Sequence, residues 1–307
     1  MIRFANAPCS WGTIEGWGQS IGYKQMLGEL VETGYSGTEL GDYGYMPTDS
    51  KKLRRELKSR NLTMLGSYEG VYLRDPKTHA EGEQRVLRNA RLMKSVADVG
   101  DGWQPFVVLA DEHSRNPTRL LNAGRIKPEM GLSESAWKTF ARGVGRIAKA
   151  VYDETGLQVV FHHHCAGFVE TPDEIAELLH RTDPKLIGLV FDTGHFLYGT
   201  GQNSGEQVIQ GLERFKDRIW YVHYKDCHPK AATEARRKGL DYKEAVGKGV
   251  FCELGQGSVN FKKVTKKLQQ MGYDGWITVE QDVLPGMGEP KESARRNREY
   301  LRQVTGI

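Results

Sequence analysis

The sequence predicts an α/β fold of the (β/α)8 barrel type, and three observations carry that expectation. Eight short apolar runs alternate with about eight helix-like runs along the 307 residues, with no composition break between them. Regular alternation implies a parallel sheet, and eight repeats favour closure into a barrel over an open doubly wound sheet. The turn after the first run reads Trp11-Gly12-Thr13-Ile14-Glu15-Gly16, not the GxGxxG that a dinucleotide-binding sheet would want. The chain 1–307 is therefore expected as one barrel domain.

In order, 2–11 reads as the first strand, ending at the small and polar Cys9-Ser10-Trp11-Gly12. A helix is expected over 23–33, where Met26, Leu27, Leu30 and Val31 recur at helical spacing and Gly34 closes the run. Strand two is 35–40, tipped by Glu39, and a charged helix follows over 50–60 with Leu53 and Leu57 inside. Strand three is 62–68, a long helix is 79–99, and strand four is 103–110, tipped by Asp111, Glu112 and His113. The stretch 114–131, rich in Pro, Asn and Gly, is expected as a long functional loop. A helix over 133–155 leads into the fifth strand. Thr171-Pro172-Asp173-Glu174 has the capping-box order, and Ser204-Gly205-Glu206-Gln207 repeats that logic. A second long loop is expected at 227–257, and helices over 261–271 and 292–304 complete the chain.

The fifth strand delivers Val159-Val160-Phe161-His162-His163-His164, and alternation sends His162 and His164 to one face and His163 to the other. Three later apolar runs end in Asp192-Thr193-Gly194-His195, in His223-Tyr224-Lys225-Asp226 and in Glu280-Gln281-Asp282. In such barrels chemistry gathers at the C-terminal strand ends. A single Asp after a strand is ordinarily a helix cap, and a single strand histidine is ordinarily a bonded core residue. Asp192, His223 and Glu280 on consecutive strands beside a triple histidine point instead to a metal. Carboxylate with imidazole suits Mn²⁺, Co²⁺ or Zn²⁺. His195, three residues past Asp192, can face the same cavity without binding the ion. Lys225 shares the face of His223, and Glu39 could bind substrate hydroxyls or cap the next segment. Gly255-Gln256-Gly257 allows close approach of backbone to a ligand, or is a simple turn.

The charge balance, 43 basic against 39 acidic residues for a net +4, argues against a dedicated nucleic-acid surface. The four cysteines form no CxxC pair, which fits a reduced setting. With no basic-then-apolar leader and no apolar run of about 20 residues, a cytoplasmic, non-membrane protein is expected.

These motifs resemble the xylose-isomerase-like TIM-barrel superfamily of sugar isomerases and epimerases. Asn6-Ala7-Pro8-Cys9-Ser10-Trp11-Gly12, Gly37-Thr38-Glu39-Leu40-Gly41, the triple histidine and Arg237-Lys238-Gly239-Leu240 are similar, within it, to the inosose dehydratase family. The resemblance covers essentially the whole chain. It implies a divalent ion, typically Mn²⁺ or Co²⁺ with Zn²⁺ or Mg²⁺ as further options, held by one residue from each of strands five to eight. Asp192, His223 and Glu280 match the last three positions. The usual fifth-strand ligand is a glutamate in a Glu-Asn-His pattern, and His162 stands in its place; Glu170 in the following loop is the alternative.

The implied activity is a lyase that removes water from a cyclic polyol ketone, 2-keto-myo-inositol, by α-proton abstraction and β-hydroxyl elimination. His164 and His195 are the acid and base candidates, with Glu170 and Lys225 behind them; Glu39, Trp11 and Asp226 are the expected substrate contacts. The same equipment would serve a ketosugar isomerase or epimerase, or a 3-keto-glycoside lyase. A nuclease-like barrel and a non-catalytic sugar-binding subunit are the readings from other classes. The expected partner is a small keto-polyol or keto-sugar, with a homo-oligomer possible on sequence grounds.

Overall fold

The computed structural model describes residues 1–12, 21–112 and 115–307; the expectations placed on 13–16 and on His113 lie outside them. The strands are β1 (Arg3–Asn6), β2 (Gly37–Thr38), β3 (Thr63–Met64), β4 (Gly66–Val71), β5 (Phe106–Asp111), β6 (Val159–His162), β7 (Ile187–Asp192), β8 (Ile219–Tyr224), β9 (Asp226–Cys227), β10 (Phe251–Cys252) and β11 (Trp276–Val279). All but β9 and β10 form one parallel sheet in the order β3-β2-β1-β11-β8-β7-β6-β5-β4. Its two end strands, β3 and β4, are pieces of one run interrupted at Leu65. The Leu65 N–H donates to Thr38 O and its carbonyl accepts from the Phe106 N–H, both at 2.9 Å. The ring thus closes through the chain itself, as a (β/α)8 barrel.

Around it lie α1 (Tyr23–Glu32), α2 (Ser50–Lys58), α3 (His79–Val96), α4 (Pro117–Leu121), α5 (Glu134–Thr155), α6 (Pro172–Arg181), α7 (Thr193–Gly199), α8 (Glu206–Phe215), α9 (Pro229–Lys238), α10 (Tyr242–Gly247), α11 (Phe261–Gln270) and α12 (Pro290–Thr305). Among the described residues no helix is long and apolar enough to cross a membrane. The long helices bury one apolar stripe, as α2 does with Leu53 and Leu57, whereas the short α7 is buried on every side. The capping box on α6 forms as the sequence predicts, with Thr171 and Glu174 bonding each other's backbone.

Four sequence expectations need correcting. The first strand stops at Asn6, because Pro8 has no N–H for the ladder and opens a short 3-10 turn, Pro8–Trp11. The Ser204 cap does not form: Gly205 occupies the N-cap position without a side-chain bond. A Cβ there would lie 2.1 Å from Ser258 O, so the close approach selects glycine. The 114–131 stretch carries α4, capped by Asn116. The 227–257 stretch is a built insertion, with β9 and β10 paired at its base and α9 and α10 between them. The thin stripe of α9, only Ala232 and Ala235 buried, explains why its basic composition reads as loop.

Candidate active site

Side chains that enter the barrel recur at every second residue of a strand. Val160, Val190, Tyr221 and Trp276 belong to an interior apolar cluster with Ala5, Leu65, Phe106 and Val108. Two residues on, the same inward direction delivers His162, Asp192 and His223; four residues past Trp276 it delivers Glu280. The four polar side chains are the uppermost layer of the barrel filling.

Their donor atoms all lie within 4.8 Å of one another. His162 Nε2 is 4.0 Å from Asp192 Oδ2 and 3.6 Å from Glu280 Oε2. His223 Nδ1 is 4.0 Å from Asp192 Oδ2 and 2.8 Å from Glu280 Oε2. Asp192 serves two ends. Its Oδ1 caps α7 by accepting the His195 N–H at 2.7 Å. Its Oδ2 is buried with no hydrogen-bond partner among the described residues, aimed into the cluster. A buried carboxylate oxygen left in this way, with two imidazoles and a second carboxylate around it, fits a divalent metal ion. Glu170 does not belong to this group.

The electrostatics point the same way. Burial and the neighbouring Glu280 charge push the Asp192 carboxyl up to about 6. Burial also opposes charge on Glu280, but Lys225, His162 and His223 overcome it and hold that carboxyl well below the usual range. His223 likewise resists charge through burial, yet Glu39 and Glu280 on either side push it up to about 10. Glu39 Oε1 accepts from His223 Nε2 at 2.7 Å and from the Tyr221 hydroxyl at 2.8 Å. Glu39 therefore braces a ring nitrogen. His163 points to the opposite side of the strand, among Phe191 and Phe196, and accepts the Asp192 N–H at 3.1 Å.

The other two histidines lie beside the cluster, their ring centroids 4.0 Å apart. Cys165 sets both. Its carbonyl receives His164 Nδ1 at 2.6 Å, and its N–H donates to His195 Nδ1 at 3.3 Å. The proton of neutral His195 therefore sits on Nε2, whereas His164 carries a proton on Nδ1 and leaves Nε2 as the basic atom. Burial, with the charges of His164 and Lys225 nearby, keeps His195 well below the usual imidazole range. Both rings open onto a cavity shared with Lys225, Tyr242, Glu280 and Asp282. Burial disfavours charge on Lys225, but Asp282, at 2.9 Å, and Glu280 hold it protonated.

Three expected contacts sit elsewhere. Trp11 is fully buried and donates its indole N–H to Glu29 Oε2 at 2.8 Å. Asp226 accepts four backbone N–H groups, from Cys227, Gly255, Gly257 and Val259. The Gly255-Gln256-Gly257 turn thus wraps a carboxylate of the chain itself; a Cβ on Gly257 would fall 2.2 Å from it. Glu170 is buried behind the His164 turn, with its oxygens on the Gly124 and Ala166 N–H groups at 2.6 and 2.7 Å. Tyr242 was assigned no role from sequence, yet its hydroxyl lies 3.4 Å from His164 Nε2. Asp241 and Glu244 form a capping box that starts α10 there, the one local signal pointing to it. Asp282 was likewise left without a role.

The chain matches the model of the xylose isomerase-like TIM barrel family over residues 27–304. It is 33% identical over 302 residues to the inosose dehydratase of Geobacillus kaustophilus (strain HTA426), covering 98% of this chain and 94% of that one. The inosose dehydratase of Lacticaseibacillus casei is 30% identical, with 100% of this chain and 98% of that one covered. Among solved structures, the IOLI protein with a bound zinc atom superposes at a TM-score of 0.70 and 16% identity, over 99% of this chain and 98% of that one. At that identity the likeness speaks to the fold. The family match spans most of the barrel and the dehydratase similarity nearly the whole sequence, so the chain belongs to the xylose isomerase-like TIM barrel family.

Proposed function

We propose that the protein is a divalent-metal-dependent carbon–oxygen lyase that dehydrates 2-keto-myo-inositol to a deoxy diketone. The observation that carries this reading is the pair of imidazoles held by opposite groups of one residue, the Cys165 carbonyl on His164 Nδ1 and the Cys165 N–H on His195 Nδ1, beside the four-residue cluster. The full-length similarity to inosose dehydratases supports the substrate class.

His162, Asp192, His223 and Glu280 would hold the ion, with Mn²⁺ or Co²⁺ favoured by the family resemblance. When bound, such an ion supplies Lewis-acid stabilisation of the negative charge that develops as the α-proton leaves. His164 Nε2 takes that proton. The C–H electron pair becomes the new double bond as the β carbon–oxygen bond breaks, and the imidazolium returns the proton to the departing hydroxyl, which leaves as water. The resulting enol then tautomerises to the diketone. His195 stays neutral and donates its Nε2–H to the substrate oxygen, and protonated Lys225 donates beside it. Tyr242 closes the cavity over the two rings and keeps bulk water from them.

The test is incubation of the metal-supplemented protein with 2-keto-myo-inositol in deuterated water, followed by NMR. A new deoxy diketone is expected. Deuterium at the α-carbon without elimination would replace this reading with an epimerase. His195→Asn is expected to keep its metal while turnover falls roughly 10²–10³-fold. Equal loss of metal in that variant would move His195 into the metal site and end this role for it.

A further inference from the structure

We propose that Glu170 is a positioning residue that acts on His164 through a single peptide group. The Cys165 carbonyl and the Ala166 N–H are two ends of one amide. The N–H end donates to Glu170 Oε2 at 2.7 Å, and the carbonyl end accepts from His164 Nδ1 at 2.6 Å. Carboxylate, peptide and imidazole therefore form one unbroken line of hydrogen bonds. An anionic acceptor on the N–H polarises the amide and makes its carbonyl a stronger acceptor, which favours the proton on His164 Nδ1. The arrangement is a carboxylate–histidine pair with a peptide bond interposed.

Three further observations support a role in orientation. Ala166 has φ +71, a left-handed conformation costing an alanine about 1 kcal/mol or more. Such a conformation persists where its surroundings impose it, and the Glu170 bond is one of the constraints that fix this peptide plane. The second oxygen, Oε1, is bonded to the Gly124 N–H at 2.6 Å, so the carboxylate can neither rotate nor shift toward the cavity. The neighbouring cation, Arg119, favours the charged carboxylate through space, but its hydrogen bonds go elsewhere. Arg119, from α4, is engaged with both oxygens of Glu174 at 2.7 and 2.8 Å and with Gly167 O at 2.7 Å. The other titratable groups facing Glu170 are Glu174 of α6, Tyr198 of α7 and the Cys165 thiol. Among the described residues its hydrogen-bond donors are backbone N–H groups, those of Gly124 and Ala166.

The inference rests on His164 being the base, but its first readout does not. In protein labelled with ¹⁵N-histidine, long-range ¹H–¹⁵N correlation reads which nitrogen of each ring carries the proton. At pH 8, where the Glu170 carboxyl is ionised, wild type is expected to show His164 protonated on Nδ1. Glu170→Gln must set an amide NH₂ against one of two N–H donors, and Glu170→Asp, shorter by one methylene, reaches only one of them. Both variants are expected to lose the fixed His164 tautomer and roughly 10–100-fold in kcat, with KM and bound metal unchanged. Glu170→Asp carries the test if the glutamine variant does not fold. An unchanged His164 tautomer in the folded variants, whatever their activity, would reduce Glu170 to a loop tether. A wild-type Nε2 tautomer would overturn the relay outright. A tautomer shift in a protein that dehydrates nothing would leave the relay standing and remove the dehydratase reading instead.

Discussion

Two pairs of carboxylates divide the labour of this barrel. Asp192 and Glu280 belong to the four-residue cluster, and one oxygen of Asp192 has no hydrogen-bond donor among the described residues. Asp226 and Glu170 are as deep as Asp192 and deeper than Glu280, yet both side-chain oxygens of each are committed to backbone N–H groups. All four belong to or closely follow barrel strands, so position in sequence does not separate them. What separates them is where their lone pairs go. A carboxylate whose acceptors are filled by the chain holds the chain; one with an acceptor left over holds something else.

The largest effect is expected at Asp226. Asp226→Ala strands four N–H groups and is expected to cost at least about 3 kcal/mol in urea unfolding, with metal content per folded molecule unchanged. A cost below about 1 kcal/mol would break the distinction.

Glu170 gives an effect of similar size, read through pH. Burial raises its carboxyl from the usual 4.5 to about 7. Between those values the folded chain keeps a proton that the unfolded chain has released, so stability falls as pH rises through this window. The difference between metal-free wild type and Glu170→Gln should therefore change by about 3 kcal/mol from pH 4.5 to 8, wild type losing more. Parallel curves would show that Glu170 ionises normally.

Asp192 should behave in the opposite way to Asp226. Asp192→Asn ends a repulsion with Glu280, so the metal-stripped variant is expected to gain roughly 1–2 kcal/mol over stripped wild type while binding metal far more weakly. A stripped variant less stable than wild type would place Asp192 with the structural pair. Thr171→Ala, which removes only the hydroxyl half of a capping box, should cost about 1 kcal/mol in urea and leave metal binding alone.

Much of this was legible in the sequence. The alternation His162-His163-His164 gave the correct faces, because a strand offers only two. Thr171 and Glu174 were readable because a capping box is complete within four residues. Asp226 and Glu170 were not, since their partners lie up to 46 residues away and are backbone groups that every residue carries. Tyr242 was hidden for a related reason. Its helix belongs to an insertion whose apolar stripe is too thin to show, and only folding brings it over His164.

The interior ladder also has a consequence for how this protein can change. Val160 and His162, Val190 and Asp192, Tyr221 and His223 are successive rungs of one alternation. Inserting or deleting a single residue within β6 would exchange His162 for its outward neighbour and exchange core valine for a residue meant for the helices, in one step. Ligand and core are inherited together. The α9 and α10 insertion leaves and re-enters the barrel at the β9–β10 base, outside the parallel ladder, so although Leu240 and Tyr242 also touch Arg125 and His164 it can change length without shifting a rung. Variation in what this cavity accepts is therefore free to accumulate in the insertion that carries Tyr242, while the rungs that carry His162, Asp192 and His223 can vary only by substitution in place.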